Sequence, residues 1–139
     1  MDAVPANSIS TFGGNPLSSA GALANLRHLL DHDLQGNAAA MGDRLLDGLA
    51  PLVARHPAIG EIRGRGLMIG PELVAADGFT PDADAANRVL EATKARRLLI
   101  GKGGLYGNCL RIAPPLSITA EECDEAVTLF SEAVDEALG

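Results

Sequence analysis

The sequence predicts an α+β domain, a short sheet of about four strands covered by helices and preceded by a long helix. Three observations carry this reading. Leucines recur at three- and four-residue spacing near the start, and an apolar stripe of the same period closes the chain. Between them, "AIGEIRGRGLMIGPELV" shortens into β-prone runs separated by glycines. The resulting order, α-α-β-β-α-β-β-α, suggests a small sheet covered by helices.

Residues 1–14 read as a leading loop. Asn15 is a favoured N-cap and Pro16 suits a first helical position, so a helix is expected over 16 to about 33, with Leu23, Leu26, Leu30 and Leu34 in register. After Gly36-Asn37, a second helix is expected over roughly 38–55, with Pro51 kinking or ending it. Two strands are expected near 58–63 and 66–74, meeting around Gly64-Arg65-Gly66. Pro71 should make the second an edge or bulged strand. Thr80 is the expected cap of the next helix, with Pro81 at its first position, Asp82 and Asp84 complementing its dipole, and an end near 97. "LLIG" and "CLRIA" read as two more short strands, ended by Pro114-Pro115. Thr119 and Glu122 form a capping box for a last helix that buries Cys123, Val127, Phe130, Val134 and Ala137.

The totals exclude several classes. With 139 residues, 47% of them apolar, the chain has enough material for one domain with a real core. A formal charge of −7 argues against nucleic acid as a partner, because such a binder needs a basic footprint. The chain has no Trp, one Tyr and three Phe, too few for a base-stacking surface. No apolar run reaches the roughly 20 residues that span a membrane, and "MDAVPANSIS" lacks the basic and apolar regions of a signal peptide. Two cysteines make no disulfide framework and fit a reducing, cytoplasmic setting.

Several side chains are candidates for chemistry. His28 and His32 are four apart, but the residues between them lack the glutamate of a His-Glu-x-x-His zinc site, and a solvated helix end is the simpler reading, with no metal. Cys109 and Cys123 have no histidine base at hand and read as small core residues. Lys102 lacks the context of a phosphate-binding P-loop and reads as an exposed loop lysine. Ser10 and Thr11 precede a helix N-terminus, where donors and dipole favour anions; the residues leave open a phosphate contact or a plain capping loop. Arg111, beside a rigid Pro-Pro end, either holds a carboxylate through two parallel bonds or is the outward residue of an alternating strand.

Together, "STFGGNPLSSAGALA", "IGEIRGRGLMIGPELV", "RRLLIGKGGLYGNCLRIAPPLSIT" and the acidic last helix resemble the class III (ω-amino acid type) aminotransferases, in that family's order and over nearly the whole chain from residue 8. The stretches "RGRGLMIG" and "LLIGKGG…LRIAPPLSIT" look most like the alanine–glyoxylate and related pyruvate-using members. The resemblance implies the small C-terminal domain of a fold-type I pyridoxal phosphate (PLP) enzyme, with residues 35–139 as that domain and 1–34 as a loop and helix of the large-domain or interdomain region. It implies that Thr11, with Ser10 beside it, binds the cofactor phosphate of the neighbouring subunit in a homodimer. It also implies that Arg111 holds the carboxylate of the amino acid and 2-oxo acid substrates. The family's Schiff-base lysine, the aspartate on the pyridine nitrogen and the stacking aromatic all lie upstream of "TFGGNP". Lys94 and Lys102 are the only lysines and neither has that context. No catalytic residue is therefore assigned, and the chain alone is expected to be inactive. The alternative is a non-catalytic folding or interaction module derived from such an enzyme.

Overall fold

A computed structural model describes Ser10, Thr11 and residues 13–139; most of the expected leading loop, with Phe12 of its motif, lies outside the described residues. The chain divides into two compact units, residues 1–34 and 35–139. In the first, α1 (Pro16–Asp31) begins as expected: Asn15 Oδ1 accepts from the Ser18 amide at 2.9 Å, and Pro16 takes the first helical position. Asp33 then turns the backbone at φ 46°.

The second unit holds α2 (Leu34–Leu49), α3 (Pro51–Arg55), β1 (Ile59–Arg65), β2 (Met68–Leu73), α4 (Ala83–Ala95), β3 (Gly101–Gly103), β4 (Cys109–Arg111) and α5 (Ala120–Leu138), with Leu34 as the one residue of α2 that falls in the first unit. Thus α2 starts four residues earlier than its apolar stripe suggested, and Pro51 splits the expected second helix in two. A proline at the start of a helix is compatible with it, so the chain restarts as α3 rather than kinking.

The strands form one antiparallel sheet of order β1-β2-β4-β3. This corrects the expectation for Pro71. β2 is an inner strand, and its bulge lies across the ladder in β1, where Ile59 and Glu61 face Leu73 and Glu72 in succession. Ile69 and Leu73 both donate their amides to the residues flanking β4, to the Ile112 and Asn108 carbonyls at 3.0 and 2.8 Å. By alternation the slot of residue 71 faces β4 as well, and the ring supplies no donor there. The β2–β4 ladder accordingly holds only on either side of it.

Alternation also sets the two faces. Ile69, Leu73, Leu110 and Ile112 are buried in one cluster with Leu45, Leu49, Leu52, Val89, Phe130 and Val134 from the helices. Cys123 belongs to that core, and burial pushes its thiol pKa up. Cys109 does not. It sits on the opposite face, half-buried, because it alternates with Leu110. Val127 and Ala137 pack against the core without being fully buried, and the Thr119–Glu122 capping box is complete.

Two further expectations shift by a few residues. The N-cap of α4 is Asp82, whose Oδ1 accepts from the Ala85 amide at 2.8 Å, not Thr80. Thr80 is taken by Asp77, which accepts from its amide and hydroxyl, and Pro81 bridges to Val74. The third strand begins at Gly101 rather than within "LLI", since Arg97 at φ 65° first reverses the chain after α4.

Two predictions follow from this packing. A methyl at Gly42 would lie 2.3–2.6 Å from Gly66 backbone atoms, which have no flexible end to yield. Gly42→Ala should therefore lower stability by about 1–3 kcal/mol in thermal or urea unfolding, although alanine is the better helix former. Arg44 Nε and Nη2 donate to Asp124 Oδ1 and Oδ2 at 2.7 and 2.6 Å, tying α2 to α5. The guanidinium holds the Asp124 carboxyl below its ordinary range. A depressed carboxyl contributes stability above its unfolded value and loses it as pH falls through the folded one. The melting temperature should fall on acidification below about pH 4, and Asp124→Asn should flatten that fall while lowering the plateau at neutral pH.

Candidate functional site

The sequence candidates fall in both units. In the first, Ser10 and Thr11 are exposed at the start of a turn closed by the Gly13 amide donating to the Ser10 carbonyl at 3.3 Å. A Cβ on Gly13 would sit 2.8–2.9 Å from the Ser10 side chain, so glycine keeps that hydroxyl unobstructed, and Gly14 follows at φ 78°, where side chains are strained. The turn runs straight into α1. His28 on this helix and His32 at its C-cap bring their ring centroids within 4.2 Å with planes tilted by 40°, and His32 Nδ1 lies 3.0 Å from the His28 carbonyl.

Arg111 is the last residue of β4 in the second unit, exposed on the face of the sheet turned away from the helices. The register explains its surroundings. Gly101 lies opposite it on β3. On β2, the pairs Glu72–Cys109 and Ile69–Ile112 place Gly70 opposite it. A Cβ on Gly101 would come within 3.2–3.3 Å of the guanidinium nitrogens, so glycine there lets the side chain lie across the strand. With glycine on both sides, Arg111 borders a trough of about 610 Å³ floored by Gly70, Gly103 and Cys109 and closed by Arg63 and Met68. Toward the other side it borders a cleft of about 520 Å³ lined by Leu98, Ile100, Ala113 and Pro114 together with Ser117, Thr119 and Glu122. Among the described residues, every salt bridge engages side chains other than Arg111. A guanidinium in that state offers a two-pronged donor to an incoming carboxylate.

Across the trough, Arg63 Nη1 donates to both Glu61 and Glu72. The hydrogen bond from Arg63, supported by one from Asn108, holds the Glu72 carboxyl below its ordinary range. Asn108 is 3% exposed and donates to Glu72 Oε1 at 3.3 Å and the Leu73 carbonyl at 2.9 Å. Sequence reasoning assigned no role to Arg63, Glu72, Gly70 or Gly101. The signal was the period-2 alternation of "RGRGLMIGPEL", but which residues meet across strands depends on a register that no local pattern specifies.

The two lysines are engaged elsewhere. Lys102 lies in β3, not in a loop, and its Nζ donates to Asn87 of α4, on the helix side of the sheet and away from Arg111. Lys94 Nζ lies 3.1 Å from Glu91 on the same helix. Among the described residues no helix is long and apolar enough to cross a membrane.

A two-layer α+β domain with a free arginine at a strand end, and a hydroxyl-bearing turn ahead of a helix, matches known proteins throughout. The family described as Aminotransferase class-III matches residues 1–134, and the chain belongs to it. The chain is 42% identical over 116 residues to alanine–glyoxylate aminotransferase 2 homolog 2 of Arabidopsis thaliana, covering 83% of this chain and 24% of that protein. It is 42% identical over 132 residues to taurine–pyruvate aminotransferase of Bilophila wadsworthia, covering 90% and 29%. Among solved structures, a Bacillus anthracis aminotransferase superposes with a TM-score of 0.84 at 37% identity, covering 94% of this chain and 30% of that one. An amine transaminase from an uncultivated Pseudomonas species, solved in its PLP-bound form, gives 0.77 at 33%, covering 94% and 29%. The chain thus spans 24–31% of the length of the curated relatives it matches, the share of a C-terminal domain. Members of the family depend on pyridoxal phosphate.

Proposed function

We propose that this chain is the C-terminal portion of a PLP-dependent aminotransferase that moves an amino group from an alanine-type or ω-amino acid donor to a 2-oxo acid. The observation that carries the reading is Arg111, glycine on either side, unpaired and exposed at a strand end in a chain of this family. The names of the relatives favour pyruvate or glyoxylate as acceptor.

Bound pyridoxal phosphate supplies the electron sink that lets the amino group change carbons. The chain's own residues supply binding and orientation. Arg111 fixes the carboxylate common to both substrates, and so sets which way the reacting carbon faces. Thr11, with Ser10, donates hydroxyls to the cofactor phosphate of a partner subunit in a homodimer, which the exposed turn and the unobstructed Ser10 suit. The domains are read as 1–34, a large-domain or interdomain segment, and 35–139, the small domain. Two free thiols are consistent with a cytoplasmic setting.

Kinetics of the full-length enzyme test the two site assignments against each other. Charge-assisted hydrogen bonds contribute about 1.5–3 kcal/mol each, and lysine cannot reproduce the fork. Arg111→Lys should raise KM for amino acid and 2-oxo acid at least about tenfold with cofactor retention nearly unchanged. Thr11→Ala should weaken cofactor retention more than substrate binding. An unchanged KM with a lowered melting temperature would make Arg111 a structural strand residue.

The 139-residue chain alone should be inactive, since Lys94 and Lys102, its only lysines, lack the context of the family's Schiff-base lysine. Treatment with pyridoxal phosphate and borohydride, followed by peptide mapping, should give no stoichiometric adduct on either lysine. A single stoichiometric adduct together with amino transfer would defeat that part of the proposal.

A further inference from the structure

Arg111 is not the sole cation beside the trough. Arg63 pairs with Gly70 on β2, and Gly70 faces Arg111 on β4, so the two arginines stand on opposite sides of one glycine in a single cross-strand row. Glu72 lies two residues along β2 from Gly70 on the same face. It is therefore the diagonal neighbour of both arginines, at a separation that long side chains span in an antiparallel sheet. The remaining titratable groups of this face are Glu61 and Arg65 on β1 and Cys109 on β4; β3 presents Gly101 and Gly103 there.

Two guanidinium groups thus compete for one carboxylate, and the structure has a settled outcome. Glu72 Oε2 bonds Arg63, and Oε1 accepts from Asn108. Arg63 wins because a second carboxylate, Glu61, faces Glu72 across the ladder and bonds the same Nη1. Asn108, buried and bonded also to the Leu73 carbonyl, occupies Oε1 and leaves Oε2 as the atom the two guanidinium groups contest.

We propose that Arg63 is a positioning residue: by engaging Glu72 it keeps that carboxylate from capturing Arg111, so that Arg111 stays open to a substrate carboxylate. This rests on the reading of Arg111 given above. Remove the Arg63 charge, and Glu72 Oε2 loses its cationic partner while Arg111 remains the diagonal one. The Glu72 carboxylate, left uncompensated, then stands beside the place where the substrate's own carboxylate must lie. Both effects weaken substrate binding, and both vanish when Glu72 is neutral.

The experiment has a spectroscopic and a kinetic arm. In the 139-residue chain, the 15N–1H resonance of the Arg111 Nε group should be indifferent to acid titration of Glu72 in the wild type, should follow it in Arg63→Met, and should be indifferent again in Arg63→Met/Glu72→Gln. In the full-length holoenzyme, Arg63→Met should raise KM for both carboxylate substrates about three- to fivefold with kcat little changed, on the scale of partly exposed ion pairs. Adding Glu72→Gln should restore KM, and Arg63→Lys, which keeps the charge, should resemble the wild type even if Arg63→Met folds poorly. A KM rise that Glu72→Gln does not relieve, or an Arg111 signal that ignores Glu72 in Arg63→Met, overturns the proposal. If Arg111→Gln leaves KM unchanged, the reading of Arg111 fails instead, while the resonance data still decide whether Arg63 holds Glu72 away from it.

Discussion

The strict alternation of β2 and β4 is the constraint on which the domain depends. Ile69, Leu73, Leu110 and Ile112 are committed to the helices, because they carry much of the sheet's contribution to the core. That commitment leaves Met68, Gly70, Glu72, Cys109 and Arg111 no choice but the opposite face. Slipping β4 by one residue would bury the Arg111 guanidinium among leucines, and slipping β2 would bury the Glu72 carboxylate, each at a cost far above the worth of a hydrogen bond. The outward direction of Arg111 is thus guaranteed by its neighbours, and needs no contact of its own to enforce it.

What the outer face lacks matters as much as what it carries. Gly70, Gly101 and Gly103 cost the sheet the packing and conformational restriction that side chains would give. The helix side compensates: the core cluster draws on four helices, and ion pairs such as Arg96–Glu136 at 2.6 Å tie α4 to α5. Stability therefore resides on one side of the sheet and access on the other. The same division explains why both lysines, fixed on or toward α4, belong to the supporting side.

Much of this was legible in the sequence, and the failures have physical causes. The caps at Asn15 and Thr119 were readable because capping is a contact within four residues. The strands around "RGRGLMIGPEL" were readable from their period. The sheet order was not. β2–β4 adjacency rests on pairing across about 40 residues, and with it the inner position of Pro71 and the company kept by Arg111 were out of reach. Cys109 was misjudged because "CLRIA" looks uniformly apolar until Arg111 fixes which parity faces out. The Thr80 cap failed for a local reason: Asp77 claims that threonine, and Asp82 is the stronger competitor for the helix amides.

That last displacement has a consequence for how the chain tolerates change in length. Because Val74 bridges Pro81, the Ala75 amide meets the Thr80 carbonyl at 2.8 Å and the Asp82 amide meets the Leu73 carbonyl at 3.0 Å, residues 75–80 are pinched off as a loop with its two ends fastened to each other. Gly78 at its tip has open space around the position of a Cβ. Lengthening such a loop adds only a slowly growing closure entropy, about 0.6 kcal/mol per doubling, and disturbs neither strand nor helix. The tip at Gly78 is accordingly the place in this domain where inserted sequence, whether an epitope or a reporter, is borne by the loop alone.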